Sequence, residues 1–404
     1  MRKMKDSGIE WIGEIPESWA SPRIKFYTEI DSGEMISKEE FDENGEFPVI
    51  GSNGEIGKTY KNNNQNSVIT TGRVGTVGTV QIVENAWITD NALIIKPKIN
   101  IEFLKYVIPN FDFDMMLSGT AQPLITATKL KNQGIPLPSE QEQTRIADYL
   151  DKKCAEIDAI IAAKQKTNEL LKERRQSIIY EAITKGLDHT VPMKDSGIEW
   201  IGEIPESWEV KKIKHIGNYR NGLTYSPNDI VGETEGTLVL RSSNIQNGRL
   251  VFDDNVFVSC NIPEQLKVHK GDILICSRNG SRELIGKNAI IDVDDDLSFG
   301  AFMMIFRCHN PKYMSYILNS NIFTYYLSTF LTATVNQLTG ENFGNMKIVY
   351  CSDEQEQKNL VEFLDKKCKE IDILISSNNS TIEKLKEYRQ SVIYEAVTGK
   401  VEFN

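Results

Sequence analysis

Long apolar runs are missing from this sequence, and so are closely spaced cysteines. No stretch approaches the roughly 20 apolar residues that a membrane-spanning helix needs. The N-terminus, Met1-Arg2-Lys3-Met4, leads straight into polar sequence without an apolar signal region, so we expect a cytoplasmic protein. The six cysteines are spread along the chain, and none of them has the spacing of a zinc knuckle. We therefore expect reduced thiols and no metal site.

Positive charge is also in short supply. The 404 residues include 46 Lys and Arg against 57 Asp and Glu, which gives a net charge of −11. A protein that grips nucleic acid by electrostatics alone needs many Lys and Arg for phosphate contacts. Any reading of nucleic acid by this chain must therefore be local, or shared with a partner.

Recognisable catalytic motifs are absent as well. The segment from Gly51 to Thr59 resembles a phosphate-binding loop, but it has five residues between its glycines where the motif has four. There is no Asn-Pro-Pro-aromatic or Asp-Pro-Pro-aromatic sequence of the kind that amino-methyltransferases use. The four histidines are scattered, with no Ser/His/Asp or Cys/His grouping at a known spacing. We expect no active site in this chain.

What the chain does contain is an internal duplication. Residues 4–19 are identical to residues 193–208, and a later block, 150–154, is repeated as 364–368. Each half is an opening block, an insert and a helical segment, and the two inserts have little sequence in common. A frame kept the same twice favours one kind of partner bound twice, and unlike inserts favour two different ligands. The alternative is a recent duplication whose inserts have drifted neutrally.

The helical segments, 139–185 and 352–398, contain no Gly or Pro. Their apolar residues recur at alternating spacings of three and four, which predicts a supercoiled pair of helices roughly 65 Å long. Ser139 with Glu142, and Asp353 with Glu356, are capping signals at the two helix starts. The seam residues that carry this prediction are Leu150, Ile157, Ile161, Leu171, Ile178, Leu364, Ile371, Ile375, Leu385 and Val392.

The direction of pairing follows from the charges in the seam. Parallel pairing in register would set Arg175 against Arg389 in a core, which is costly. Antiparallel pairing sets each arginine opposite a cysteine, and Lys164 opposite Asn378. We therefore expect an antiparallel pair with one insert at each end, related by a pseudo-twofold axis.

The expected fold class is α+β, with two mixed α/β domains joined by two long helices in an antiparallel coiled coil. Domain boundaries are expected at 1–138, 139–185, 186–352 and 353–404. The inserts alternate short strands with turns and end in one or two helices. Strands are predicted near 47–50, 68–71, 77–83 and 92–95, and near 237–241, 272–277, 288–293 and 302–306, with helices near 101–108 and 314–330.

Three kinds of polar loop recur in both inserts. One is a small turn, the second is a glycine-containing loop with one arginine after a strand, and the third precedes each long helix. Arg, Asn, Gln and Ser on loops suit hydrogen bonding to base edges, and glycine permits close approach to phosphates. Plain surface turns are the alternative. The predicted DNA-binding residues are Ser52, Asn53, Thr70, Gly72, Arg73, Gln122, Ser243, Asn244, Arg278, Asn279, Ser281 and Asn336.

The frame resembles that of a known family, the specificity subunits of type I restriction–modification systems. The resemblance lies in Ser7-Gly8-Ile9-Glu10-Trp11-Ile12-Gly13, in Pro16-Glu17-Ser18-Trp19 and in the helix start Pro138-Ser139-Glu140-Gln141-Glu142-Gln143. It extends over essentially the whole chain, in both copies. The second helix start departs from the first, with Tyr350-Cys351-Ser352 in place of Leu137-Pro138-Ser139.

This resemblance implies that each insert is a target-recognition domain that reads one half of a split sequence in double-stranded DNA. It implies that the helices are a spacer and that the chain is not an enzyme and binds no cofactor. Two modification (methyltransferase) subunits would bring S-adenosylmethionine, and restriction subunits would bring ATP and Mg. A coiled-coil scaffold that tethers two proteins without binding DNA is the alternative that the acidic charge favours. A stand-alone methyltransferase is disfavoured by the missing motif.

Overall fold

The computed structural model describes residues 2–117, 124–331 and 336–402. The chain forms two compact units, one of residues 1–165 with 379–404 and the other of residues 166–378. The boundary therefore passes through both long helices, and each unit holds one opening block, one insert and one part of each helix. No helix among the described residues is both long and apolar enough to cross a membrane.

The strands and helices follow in chain order. Those up to the first long helix are β1 Met4–Asp6, β2 Glu14–Pro16, β3 Thr28–Ser32, β4 Phe47–Gly51, β5 Gly54–Thr59, β6 Val68–Gly72, β7 Val80–Val83, β8 Trp87–Ile88, β9 Ala92–Pro97, α1 Ile101–Val107, α2 Phe113–Met116, α3 Ala127–Lys131 and α4 Glu140–Lys185. The strands after α4 are β10 Met193–Asp195, β11 Glu203–Pro205, β12 Glu209–Lys212, β13 Gly217–Asn221, β14 Ile230–Val231, β15 Thr237–Leu240, β16 Ile245–Gln246, β17 Arg249–Leu250, β18 Phe257–Val258, β19 Ile273–Cys276, β20 Asn288–Ile290, β21 Leu297–Phe299, β22 Met303–Cys308 and β23 Lys347–Tyr350. The later helices are α5 Pro311–Leu318, α6 Asn321–Phe330, α7 Gly340–Asn345 and α8 Glu354–Val397.

The two inserts share a strand topology that their sequences do not reveal. In the first insert an antiparallel sheet has the order β3-β9-β6-β7, and in the second the order is β13-β22-β19-β20. Each insert also has a second sheet with one parallel pair, β4 with β8 and β15 with β21. The second insert adds the hairpin β16–β17 and the strands β14 and β18. The inserts are therefore two versions of one fold.

The strand predictions hold near the sheet centres, and the helical stretch of the second insert consists of two helices. The central strands β6 and β19 are buried along their whole length, as continuous apolar runs predict. The one or two helices predicted near 314–330 are two, α5 and α6. The Ser320 hydroxyl accepts a hydrogen bond from the Ile322 amide and caps α6, so an N-cap interrupts an apolar run that reads as continuous.

The long helices α4 and α8 lie within one or two residues of their predicted bounds, and they pair antiparallel as expected. In the first unit Leu150 and Cys154, near the start of α4, share a buried cluster with Val392 near the end of α8. In the second unit Ile179, near the end of α4, shares a buried cluster with Leu364 near the start of α8.

The seam places each arginine beside a cysteine, as the antiparallel prediction requires. Burial raises the pKa of the Cys154 thiol, and the nearby Arg389 partly offsets this. Burial likewise raises the pKa of Cys368, with Arg175 as the offsetting charge. Both arginines also form ion pairs across the seam, Arg389 with Asp158 at 3.0 Å and Arg175 with Asp372.

Asn378, predicted to lie opposite Lys164, donates a hydrogen bond to the Asn168 side chain at 2.9 Å, one helical turn further along α4. Both amides are buried, at 8% and 9% exposure. Of the predicted seam residues, half are buried and half are partly buried. The buried ones are Leu150, Ile157, Leu364, Ile371 and Val392, and the partly buried ones are Ile161, Leu171, Ile178, Ile375 and Leu385.

A repeated polar contact ties each insert to the start of its long helix. The Tyr106 hydroxyl donates to Asp151 at 2.7 Å, and the Tyr316 hydroxyl donates to Asp365 at 2.6 Å. Burial alone would raise the pKa of Asp151, but hydrogen bonds from Tyr106 and Lys105 outweigh burial and lower it. The carboxylate is therefore held ionised between α1 and α4.

Candidate nucleic-acid interface

The second unit contains a cavity of about 840 Å³ among the loops where its two sheets end. Four segments form most of its wall: the loop after β13, the turn after β15, the loop after β19 and the turn before β22. The residues that line it are Leu223, Thr224, Tyr225, Arg241, Ser242, Ser243, Asp254, Arg278, Asn279, Gly280, Gly300, Ala301, Phe302, Met303 and Asn336. The cavity therefore gathers Ser243, Arg278, Asn279 and Asn336, four of the residues predicted to bind DNA.

Arg278 is exposed and is held in place by Phe302. Its amide donates to the Phe302 carbonyl at 3.1 Å, and its guanidinium lies 5.1 Å from the centroid of the Phe302 ring. Phe302 is itself 56% exposed. A cation–π contact at an exposed site is worth about 0.5–1 kcal/mol. Stacking thus restricts the guanidinium, and its N–H groups have no hydrogen-bond partner in the described part of the chain.

Two other walls of the cavity carry polar groups in position to bind a ligand. The side-chain amide of Asn279 donates to the Ser242 hydroxyl at 3.0 Å, and this bond joins the small polar turn to the arginine loop. Arg241 forms an ion pair with Asp254 at 2.8 Å. Arg241 Nε and Ser243 Oγ are buried and have no hydrogen-bond partner among the described residues. Buried polar groups in native structures are normally satisfied, so these two atoms fit a site completed by a ligand.

The first unit has the equivalent loops, with a different arginine geometry. The Arg73 amide donates to the Asn91 carbonyl at 2.9 Å, as that of Arg278 does to Phe302. The Arg73 guanidinium, however, is partly buried, and its Nη1 donates to the Asp90 carbonyl at 3.4 Å.

Gly72 brings the two predicted loops of the first unit together. A Cβ atom there would lie 2.6 Å from the Ser52 carbonyl oxygen and 1.9 Å from that of Thr76, so a side chain would force the turn apart. Ser52 is partly buried, whereas Asn53 is exposed and accepts a hydrogen bond from Thr79 at 3.4 Å. The small polar turn and the arginine loop are therefore neighbours in both units.

Three of the predicted DNA-binding residues are buried and not presented to a ligand, and Gly72, at the end of β6, is one of them. Thr70 is 1% exposed and Asn244 is fully buried. The Asn244 side chain accepts from the Arg241 amide at 2.9 Å and donates to the Val251 carbonyl at 3.0 Å, so it shapes the turn instead of facing outward. Ser281 is exposed, next to the cavity loop, and Gln122 lies outside the described residues.

Tyr225, Arg241, Asp254 and Phe302 line the cavity, and sequence reasoning missed them. Arg241 and Phe302 lie at the ends of the predicted strands 237–241 and 302–306, a position that indicates a sheet residue. Their positions in the sequence could have indicated a place at the site. Arg241 directly precedes the polar turn at Ser242, and Phe302 directly precedes β22.

Comparison with known proteins assigns the family. The model of the type I restriction modification DNA specificity domain matches residues 16–172 and 205–384, once in each half of the chain. The two matches include both inserts and most of both long helices. The chain therefore belongs to the type I restriction modification DNA specificity domain family, and the resemblance seen in the frame is confirmed.

Curated relatives carry the same designation. The StySPI specificity subunit of Salmonella potsdam is 28% identical over 205 residues, which cover 49% of this chain and 44% of that protein. The MjaVIII specificity subunit of Methanocaldococcus jannaschii is 27% identical over 295 residues, which cover 70% of this chain and 65% of that protein. The chain thus spans about half the length of the former relative and under two thirds of the latter.

A solved structure gives the likeness in fold. One chain from a structure described as showing complex assembly and conformational transition of the type I R-M system superposes with a TM-score of 0.72. The overlap covers 96% of this chain and 99% of that chain, at 16% sequence identity. At this identity the likeness shows a shared fold.

Proposed function

We propose that this chain is a sequence-specific DNA-binding specificity subunit of a type I restriction–modification complex. Each insert reads one half of an asymmetric, bipartite target in double-stranded DNA, and the repeated frame docks two modification subunits. The chain carries no catalysis and binds no cofactor. S-adenosylmethionine is bound by the modification subunits, and ATP with Mg by the restriction subunits of the full complex. The complex acts in the cytoplasm.

The observation that carries this proposal is the cavity of the second unit. It combines a displayed arginine, an asparagine, a second arginine and two polar atoms that have no hydrogen-bond partner among the residues that the structure describes. Arginine bound through two hydrogen bonds to guanine, and asparagine to adenine, are the commonest pairings in major-groove readout. A scaffold that only tethers proteins gives no reason to gather these groups in one concave surface.

The net charge of −11 shapes how such a subunit works. Binding that relies on phosphate contacts scales with the number of Lys and Arg residues, and this chain has an excess of acidic residues. Base contacts in the inserts supply the discrimination between sequences. Phosphate contacts from partner subunits supply much of the affinity, and we expect weak DNA binding by the isolated chain.

The test is selection of duplexes from a randomised library by the chain assembled with its modification subunits. The expected result is two short, unlike sequences separated by a gap of fixed length with no base preference. Arg278→Ala should relax selection at one position in one half-site, at a cost of roughly 1–3 kcal/mol against the preferred base. The matched control is Arg249→Ala, because Arg249 is exposed in the same unit but does not line the cavity.

If the assembled complex enriches no sequence from the library, the proposal is contradicted. An effect of Arg278→Ala on both half-sites would contradict the division of labour between the inserts. An equal loss of affinity for all sequences, with a smaller dependence on salt, would make Arg278 a phosphate contact.

A further inference from the structure

The same arrangement of charges occurs in both units at the junction between frame and insert. In the first unit Arg23 and Lys25 both donate to the side-chain oxygen of Asn132, at 3.5 and 3.4 Å. In the second unit Lys212 and Lys214 both donate to the side-chain oxygen of Asn345, at 3.5 and 3.1 Å. We call these two sets the cation pairs. Each holds two positive groups within hydrogen-bond range of a single oxygen atom.

The backbone places the two cation pairs at equivalent positions. Arg23 forms an antiparallel bridge with Gly134, and Lys212 pairs antiparallel with Lys347 in the ribbon of β12 and β23. Each pair thus lies where the chain leaves the opening block, opposite the segment that leads into the long helix. The inserts otherwise share little sequence, so the repetition sets this feature apart from the divergent parts of the domains.

Neither cation pair is neutralised by a carboxylate of residues 2–117, 124–331 or 336–402. None of the four cations forms an ion pair with a carboxylate among the described residues. In the second unit Lys347 lies directly across the ribbon from Lys212, and like charges in that position destabilise an antiparallel pair. Lys211, Lys212, Lys347 and His215 line a groove of about 680 Å³. Lys211 in this groove is paired with Glu209, whereas the four residues of the cation pairs have no carboxylate partner in the part of the chain that the structure describes.

The cation pairs lie away from the reading loops. In the first unit β3 runs from Thr28, shortly after Lys25, to Ser32, and the next residue, Gly33, bonds to Ala92 beside the Arg73 loop. In the second unit β13 runs from Gly217, shortly after Lys214, toward Leu223 in the cavity wall. A strand of five residues spans roughly 17 Å, so each pair lies at the end of its sheet opposite the base-reading end.

We propose that each cation pair is a docking site for carboxylate side chains of the protein partner that each unit binds once, the modification subunit. This inference rests on the function proposed above and adds the site of contact. A partner that meets the frame twice needs the same contact twice, and the cation pairs repeat with the frame. Their distance from the reading loops favours an acidic protein surface over the phosphates of the DNA that those loops read. In the first unit Phe26, 66% exposed and next to Lys25, adds apolar surface to the contact.

The experiment reverses the charges one pair at a time. The variants are Arg23→Glu with Lys25→Glu, Lys212→Glu with Lys214→Glu, and the combination of all four. Native mass spectrometry and titration calorimetry with the modification subunit of the same system count the bound copies and measure their affinities. Each double variant should keep one copy at unchanged affinity and bind the other at least ten-fold more weakly. The combination should lose both copies.

Two further sets of variants separate charge from folding. Lys58→Glu with Lys270→Glu reverses one exposed lysine in each unit away from the cation pairs, and should leave both copies bound. Arg23→Gln with Lys25→Gln removes charge without reversing it, and should weaken one copy less than the Glu variants do. Thermal unfolding of each variant confirms that the units remain folded.

The contrary outcomes are distinct. If the unaltered chain binds two copies and all charge variants bind them with unchanged affinity, the docking inference is wrong and the proposed function stands. If the copies stay bound but the salt dependence of duplex binding falls by one or two per pair, the cations hold DNA phosphates and the inference is likewise wrong. If the unaltered chain binds no modification subunit, the proposed function fails, and the inference fails with it.

Discussion

At the scale of single residues, Arg73 and Arg278 show how equivalent positions differ in use. Both follow a central strand, and the backbone amide of each donates to a carbonyl in the equivalent turn of its own unit, Asn91 for Arg73 and Phe302 for Arg278. One guanidinium bonds to its own domain through the Asp90 carbonyl, while the other stacks on an exposed ring. The difference arises because Phe302 stands where the first unit has Asn91. The readout of the two half-sites is therefore expected to rest on different side chains.

Phe302 is a positioning residue for Arg278, and we expect Phe302→Leu to weaken base selectivity without abolishing it. The cation–π contact is worth about 0.5–1 kcal/mol, which is less than the loss of the arginine itself. Phe302→Tyr keeps the aromatic face and should restore selection to that of the unaltered chain. The measurement is the base preference of each assembled variant at the position that Arg278→Ala relaxes. Equal selectivity for the leucine and tyrosine variants would show that the ring has no part in positioning.

The sequence predicted which loops form the candidate site better than which side chains face a ligand. Loop composition identified Ser243, Arg278 and Asn279, because polar residues beside glycine need a surface turn. It could not separate Asn244, whose side chain bonds to the backbone of its own turn, from Asn279, which lines the cavity. The direction in which a side chain points from a short turn depends on the local backbone angles, and composition does not encode these angles.

At the scale of elements, periodicity predicted the long helices and the central strands of the sheets. It did not predict the shortest strands. Helices α4 and α8 are long enough for their heptads to outweigh local exceptions. The strands β16 and β17 have only two residues each, which is too short for an alternating pattern to show. The parallel pairs β4 with β8 and β15 with β21 join segments distant in sequence, and no local signal marks such pairing.

The buried Asn168–Asn378 pair is expected to fix the alignment of the long helices at a cost in stability. Replacing one member, as in Asn378→Ile, removes a buried hydrogen bond and should lower the free energy of unfolding by about 1–3 kcal/mol. Replacing both with isoleucine should be neutral or stabilising relative to the starting protein, because no amide is then buried in the seam at this point. Denaturant unfolding of the two single variants and the double variant forms a double-mutant cycle that measures the coupling.

The loss of alignment has its own readout. Arg175→Cys places a thiol beside the native Cys368, and the crosslink should form under oxidation in the starting background. In the double isoleucine background its yield should fall. Additive effects in the cycle, together with an unchanged yield, would show that the asparagines have no role in alignment.

At the scale of the whole molecule, each compact unit is assembled from both copies of the repeat. The first unit holds the opening block of the first copy together with the end of α8, and the Tyr394 hydroxyl donates to the Ile12 carbonyl at 3.2 Å. The second unit holds the opening block of the second copy together with the end of α4, and the Tyr180 hydroxyl donates to the Trp200 carbonyl at 3.2 Å. Each opening block thus packs on the long helix that would precede it if the two chain ends were joined. The first block packs on α8, and the second packs on α4.

This cyclic order predicts that the chain tolerates permutation. The Arg2 amide donates to Glu402 at 2.7 Å, so residues near the two ends of the chain lie together. A direct fusion of Asn404 to Met1 supplies eight residues between Gly399 and Met4, where the existing joint between Gly186 and Met193 has six. Opening the fused chain between residues 188 and 189 then breaks the short linker between Gly186 and Met193, while the fusion supplies a new short linker between Gly399 and Met4. The cost in loop entropy depends only weakly on length, so we expect the free energy of unfolding to change by about a few tenths of a kcal/mol.

The permuted protein should also select the same DNA sequence when assembled with modification subunits, because no residue of the cavity or the seam is displaced. The measurements are denaturant unfolding and selection from the randomised library. The control is the same fused chain opened between Ile157 and Asp158, which interrupts α4 next to a buried seam residue and should unfold far more readily. If the permutant opened between residues 188 and 189 is as unstable as this control, the contact between each opening block and its preceding helix depends on the original chain order. Stable folding with an altered target would instead place part of the reading surface at the joint itself, contrary to the cavity assignment.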